Sequence, residues 1–230
     1  MTIFRFTLIK SLKHPLTLIL NSLFPLVLIF IAPMWRENSL LGYRLIIMAL
    51  WGGGFLISQG ILNDRTDGAI IRILAAPVSM LGYLTQSLLA FILPLILQSI
   101  LMSAFGILLY DWDILFALAL ALCNIVFVIS SVALGFAWSC LFKDRENSSS
   151  IFLVVITFGA SLSGVLFPLE LLPRPLQFVG TILPSYWAVR GIDAIYGADR
   201  MFFYWAGLLV MLAMSSCCLF YGGKRGIMRR

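Results

Sequence analysis

The sequence predicts an all-α integral membrane protein with six transmembrane helices, both termini cytoplasmic, and a short outer-leaflet helical hairpin between helices 5 and 6. Three observations carry this prediction. Of 230 residues, 61% are hydrophobic and only 11% charged, against about 25% charged in soluble domains, too few to cover a water-facing surface without large apolar patches. Charge-free runs recur at lengths that meet or exceed the roughly 20 residues needed for one bilayer crossing. Lysine and arginine concentrate in alternate connections, as the retention of positive loops in the cytoplasm requires.

Each element follows in order. In residues 1–14, Phe4, Leu8 and Leu12 recur four apart while Arg5, Lys10 and Lys13 are basic, which predicts an amphipathic helix on the inner membrane surface. A plain positive topology anchor is the alternative. The first span runs from His14 to Trp35 and carries no small-residue cleavage site, so it is expected to be retained. The second spans Leu45 to Asn63. The run from Ile73 to Tyr110 is too long for one crossing, and Ala75, Ala76, Pro77, Ser79 and Gly82 open it with helix breakers, which places the third helix from about Leu84. The fourth covers Ile114 to Phe142, the fifth Asn147 to Leu169 with polar Asn147, Ser148 and Ser149 capping its start, and the sixth Met201 to Gly223. Between the last two, Pro184, Arg190 and Asp193 interrupt the apolar stretch from Pro175 to Ile195, which is expected to dip into the outer leaflet and return. With the N-terminus inside, 11 basic residues lie on the inner side (Arg5, Lys10, Lys13, Arg65, Arg72, Lys143, Arg145, Lys224, Arg225, Arg229, Arg230), against Arg36, Arg44, Arg174, Arg190 and Arg200 outside.

Residues 1–230 thus read as a single transmembrane domain, and its chemistry is narrow. Cys123, Cys140, Cys217 and Cys218 lie in apolar runs without C-x-x-C spacing and are expected as buried thiols rather than zinc ligands or disulfides. Gly159-Ala160-Ser161 is a G-x-S triplet, but the only histidine, His14, is expected at the cytoplasmic end of the first helix and Ser161 in the middle or outer half of the fifth, out of hydrogen-bond reach. The six charge-free runs hold no Asp, Glu, Lys or Arg, and their one histidine, His14, stands at the very start of the first, which disfavours ion-driven transport. Their neutral polar residues include Asn21, Gln59, Gln98 and Asn124. Gln59 and Asn21 are candidates for lining a path, with interhelical packing the alternative. No G-x-x-x-x-G-K-[ST] occurs, so the chain is expected to hold no ATP, metal or other cofactor and to act as no enzyme by itself. A net charge of +6 is directed at membrane lipids, not nucleic acid.

Two segments carry a resemblance. The first inner loop reads Asn63-Asp64-Arg65-Thr66-Asp67-Gly68, continues to Arg72 and Ala76-Pro77-Val78-Ser79, and meets Tyr83-Leu84. It resembles the signature of type-2 ABC exporter permeases, in which an acidic or polar residue and Arg precede Gly, Pro-x-Ser and a Tyr-Leu that opens the third helix. Gly164 to Pro173, continuing to Leu183-Pro184-Ser185-Tyr186, is similar to the outer hairpin of the same family. Asn63-Asp64 stands where Glu is common before Arg. The resemblance implies one of two permease protomers, identical or homologous, in a multi-pass bacterial plasma-membrane transporter whose cytoplasmic ABC ATPase subunits hold ATP and Mg.

That family places the 63–83 loop on the ATPase, which implies coupling roles for Asp64, Arg65, Asp67, Gly68, Arg72 and Pro77. The fifth helix meets the partner protomer in the family, and Gly159 with Ser163 and Ala160 with Gly164 are four apart, so each pair shares one face; packing within one protomer is the alternative. In the hairpin, 168–200, Phe167, Pro168, Glu170, Pro173 and Pro184 are the expected outer gate, with Glu170 and Arg174 spaced to pair. The expected cargo is amphipathic or apolar: a drug, antibiotic, lipid or hydrophobic peptide. Export of a polysaccharide or lipid-linked glycan is the alternative, and an ion-independent channel or a non-catalytic assembly protein stands behind both.

Overall fold

The computed structural model describes residues 4–5, 7–9, 24–31, 41–66, 80–142, 144–197 and 201–228. Among them every regular element is helical: α1 (Phe24–Ile29), α2 (Leu41–Thr66), α3 (Met80–Tyr110), α4 (Ile114–Ser139), α5 (Arg145–Leu162), a 3-10 turn (Leu169–Leu171), α6 (Arg174–Gly180), α7 (Pro184–Tyr196) and α8 (Met201–Met228). Four stretches are long and apolar enough to cross a membrane: Leu41–Asp64, Gly82–Tyr110, Ile114–Ser139 and Met201–Lys224. The apolar part of α5, Glu146–Leu162, is shorter. Of the expected first span only α1 and the two residues after it lie within the described residues.

Three boundaries differ from the sequence expectation, each for a physical reason. Helix α2 starts at Leu41 instead of Leu45 and so takes in Arg44, whose guanidinium has a carboxylate partner inside the bundle. Helix α3 starts at Met80, ahead of Leu84, and runs on through Pro94, which neighbouring helices allow in a membrane bundle. Helix α5 stops at Leu162, well short of Leu169, because Gly164 takes a left-handed φ of 85° and Val165 N–H turns back to the Ala160 carbonyl at 3.1 Å. This six-to-one bond is the Schellman closure, which glycine permits at no steric cost.

Helix α4 is the centre of the bundle and packs on α2, α3, α7 and α8. Two adjacent serines hold it from both sides. Ser131 Oγ donates to the α2 carbonyls of Leu50 and Trp51 at 3.0 and 3.1 Å, and Ser130 Oγ meets the Met211 carbonyl and Ser215 Oγ of α8 at 2.9 and 2.7 Å. The α2 contact depends on Gly54, where a Cβ would fall 2.1 Å from Ser131 Oγ. Such small-residue contacts and interhelical hydrogen bonds replace the hydrophobic drive that lipid does not supply, at about 0.6–2 kcal/mol per bond.

A three-residue turn, Asp111–Asp113, joins α3 to α4, so the start of α3 and the end of α4 share one end of the bundle. Phe4 N–H reaches Gln86 Oε1 near the start of α3 at 3.4 Å, while Cys140 Sγ contacts the Gly222 carbonyl at 3.5 Å. Phe4 and Gly222 therefore lie at that same end. Of the cysteines, Cys123 and Cys140 are buried, Cys218 is half-buried and Cys217 is exposed on α8; this last thiol corrects the expectation that all four are buried, because it lies on the face of α8 turned away from α4 and α7, with exposed Ser216 and Phe220 beside it.

Candidate functional site

At the bundle end that holds Phe4 and Gly222, the last turn of α2 faces the first turn of α3. Tyr83, 1% exposed, donates its hydroxyl to Asp64 Oδ2 at 2.8 Å. The two ends of the loop expected to carry coupling are thus clamped at one point. Arg65 lies in the last turn of α2 with a side chain outside the described residues, and Asp67, Gly68, Arg72 and Pro77 also lie outside them. Beside the clamp, Gln59 Nε2 of α2 donates to Ser148 Oγ of α5 at 3.2 Å, and the Phe55 and Phe152 rings stack at 3.5 Å. Gln59 is 3% exposed and sits between α2 and α5; Asn21 lies outside the described residues. The cap of α5 is Asp144, whose carboxylate accepts from Glu146 N–H and from Asn147 Nδ2. Asn147 therefore serves the cap from within the helix, and Ser148 turns inward to Gln59.

The small-residue face of α5 is turned into its own protomer. A Cβ at Gly159 would stand 2.6 Å from the Trp51 ring and 3.4 Å from Leu183, Ala160 and Ser163 are fully buried, and Gly164 is the helix closure described above. The space beside Gly159 is filled by Trp51 and Leu183 of the same chain and that beside Gly164 by Leu169, which favours packing within one protomer, the alternative, over the expected protomer interface of Gly159, Ala160, Ser163 and Gly164. The face pointing away carries Ile151, Val154, Thr157, Phe158 and Ser161.

Beyond α5 the chain folds as short helices on a ladder of prolines. Pro173 precedes α6 and Pro184 is the first residue of α7, the position where a missing N–H costs nothing. Gly180 packs so tightly on the end of α5 that a Cβ would fall 2.2 Å from the Leu162 carbonyl oxygen. Helix α7 then climbs antiparallel to α2, from Leu183 at the level of Trp51 to Asp193, whose carboxylate pairs with Arg44 at 3.5 Å. Its 13 residues measure about 20 Å, too short to cross a hydrocarbon core of about 30 Å. Phe167 and Pro168 are exposed, Pro173 is exposed and Pro184 is buried, while the Glu170 side chain expected to pair with Arg174 lies outside the described residues.

A bundle of apolar helices braced by buried serines, with a clamped loop at one end and a half-length helix at the other, defines a polytopic membrane protein. The family model described as ABC-2 family transporter protein matches residues 37–222, and the chain belongs to that family. The family is the transmembrane permease component of ABC transporters, generally non-catalytic, and it implies association with an ABC ATPase. No curated protein matches the chain.

Two pairs escaped the sequence reading, Asp64 with Tyr83 and Arg44 with Asp193. Both residues of the first pair stand in the quoted motif, so the signal was present but its geometry was not. Tyr83→Phe keeps the ring and removes the donor. Bonds to charged groups contribute about 1.5–3 kcal/mol, and with Asp64 half-exposed we expect a loss near 1 kcal/mol, read as a lower thermal midpoint of the purified chain. An unchanged midpoint would show that the bond does not brace the loop.

Proposed function

We propose that the chain is one of two permease protomers of an exporter in a bacterial plasma membrane. It moves an amphipathic or apolar cargo outward, using ATP and Mg held on separate ATPase subunits that grip the connection between α2 and α3. The carrying observation is the clamp of Tyr83 on Asp64: a displacement of the loop reaches both helices at once, and α2 passes it to α4 through Ser131 and to α5 through Gln59. Six crossings with cytoplasmic ends are part of the reading. Phe4 and Gly222 share one end of the bundle, which an even number of crossings requires, and the basic residues of the termini favour the inside.

The second protomer is proposed to meet the outward face of α5, where Thr157 and Ser161 stand four apart and each hydroxyl bonds back to its own helix, leaving a surface of low relief suited to helix contact. An apolar cargo is supported by the outer segment, where Phe167, Leu171, Phe178 and Ile182 are 54–73% exposed.

The test is charge reversal in the loop. In the transporter assembled with its ATPase, Arg65→Glu together with Arg72→Glu is expected to leave insertion and folding intact and to reduce cargo-stimulated ATP turnover by about tenfold or more, since like charges would meet at a surface built for pairing. Full transport by the double variant would refute the assignment of this loop to the ATPase.

A further inference from the structure

At the bundle end away from Tyr83, the first turn of α2, the α3–α4 turn and the last turn of α7 line an open cleft of about 620 Å3. That volume lies within the ~300–1,000 Å3 of small-molecule sites. Its wall is aromatic. The Tyr43 ring centroid lies 5.4 Å from Trp112, 5.9 Å from Phe116 and 6.4 Å from Tyr196, the last two edge-on. Tyr110 completes the wall, its ring 6.2 Å from Trp112 and its hydroxyl donating to the Ile29 carbonyl. The indole is seated on Gly106, where a Cβ would fall 2.0 Å from it.

Asp111 and Asp113 line the same cleft, and both are exposed. Asp113 Oδ2 accepts from Leu115 N–H at 3.0 Å as the cap of α4, leaving its other oxygen open. Neither carboxylate has a basic partner among the described residues. Among the described lining residues the only charges are these two carboxylates, set beside the rings. An aromatic belt at the membrane interface accounts for rings that face lipid, but Tyr43, 2% exposed, backs Trp112, Phe116 and Tyr196 from inside the bundle, and the accessible ring surface of the wall belongs to Tyr110, Trp112, Phe116 and Tyr196.

We propose that this cleft binds an organic ammonium group, quaternary or protonated, held between the aromatic faces and the carboxylates of Asp111 and Asp113. A neutral sugar could stack on the same rings but would gain little from two negative charges, and an anion would be repelled. The ammonium can belong to a free solute or to a lipid headgroup. The site stands on this geometry alone, whether or not what it binds is transported.

The full chain in phosphatidylglycerol nanodiscs, with empty nanodiscs as blank, is titrated with tetrabutylammonium, phosphocholine, maltose and butyrate while tryptophan fluorescence is followed. Asp111→Asn suits the left-handed φ of 53° at that residue, which asparagine tolerates, and Asp113→Asn keeps a helix cap, so the double variant is expected to fold. We expect saturable binding of an ammonium probe, weakened about tenfold or more in the double variant by loss of the charge-assisted contacts, and abolished by Gly106→Leu, which evicts Trp112. Binding of tetrabutylammonium alone assigns a free cation, and binding of phosphocholine as well assigns a headgroup; either supports the site. The proposal is overturned if neither ammonium binds, if the double variant binds as wild type does, or if maltose or butyrate binds equally well.

Discussion

Gly159→Leu is expected to destabilise the protomer itself, not merely to separate two of them. A leucine Cβ there would lie 2.6 Å from the ring of Trp51, which is 1% exposed and cannot retreat without leaving the core. Overpacking of this kind costs about 1–3 kcal/mol and more where a rigid ring must move. The purified variant should show a thermal midpoint several degrees lower and a reduced monodisperse fraction. Phe158→Ala, one residue away on the outward face and 67% exposed in wild type, is the control: it should leave the midpoint unchanged and weaken association with a second protomer. A Gly159→Leu chain that melts like wild type while losing only its dimer would return the small-residue face to the protomer interface.

The second large effect concerns the pair that fastens α7 to α2. Arg44 and Asp193 are 20% and 28% exposed and 3.5 Å apart. Removing one partner of a fully buried pair costs about 3–5 kcal/mol. Partial exposure lowers the expectation for Asp193→Leu to about 2 kcal/mol, because Arg44 would keep its charge on a membrane-spanning helix with its carboxylate gone. The double variant Arg44→Met with Asp193→Leu should recover most of that loss, since two apolar side chains fill similar volume without any charge to desolvate. A double-mutant cycle on thermal unfolding measures the coupling directly. A coupling energy near zero would mean that α7 is held by Gly191 against Cys123 and Gly207 against Trp187, with the ion pair incidental.

Both predictions depend on which way a helix face turns, and this marks where sequence reading ended. Gly159, Ala160, Ser163 and Gly164 are spaced for close helix approach whatever helix approaches, and nothing in their spacing distinguishes Trp51 of the same chain from a partner protomer. The end of α5 was equally hidden: an apolar run from Asn147 to Leu169 carries no hydropathy break at Ser163, and only the left-handed turn at Gly164 stops the helix. A lone arginine is costly in a span, so charge alone places Arg44 in a loop; Asp193, 149 positions later, removes that cost.

What the sequence by itself determined is the solvent and the class. Sixty-one per cent apolar residues with 11% charged leave a bilayer as the only environment, helix breakers and basic residues divide the chain into crossings and connections, and the 63–83 and 164–186 motifs point to the family that residues 37–222 then match. These are properties of each residue against its surroundings, additive along the chain and readable without knowing any neighbour. The tertiary structure alone decided the pairings: Tyr83 on Asp64, Asp193 on Arg44, Ser131 against Gly54, and five aromatic rings gathered from three segments beside two carboxylates. The reason is physical. A hydrogen bond, an ion pair or a ring contact acts over a few ångströms between atoms that folding brings together, and its partners can lie anywhere in the chain.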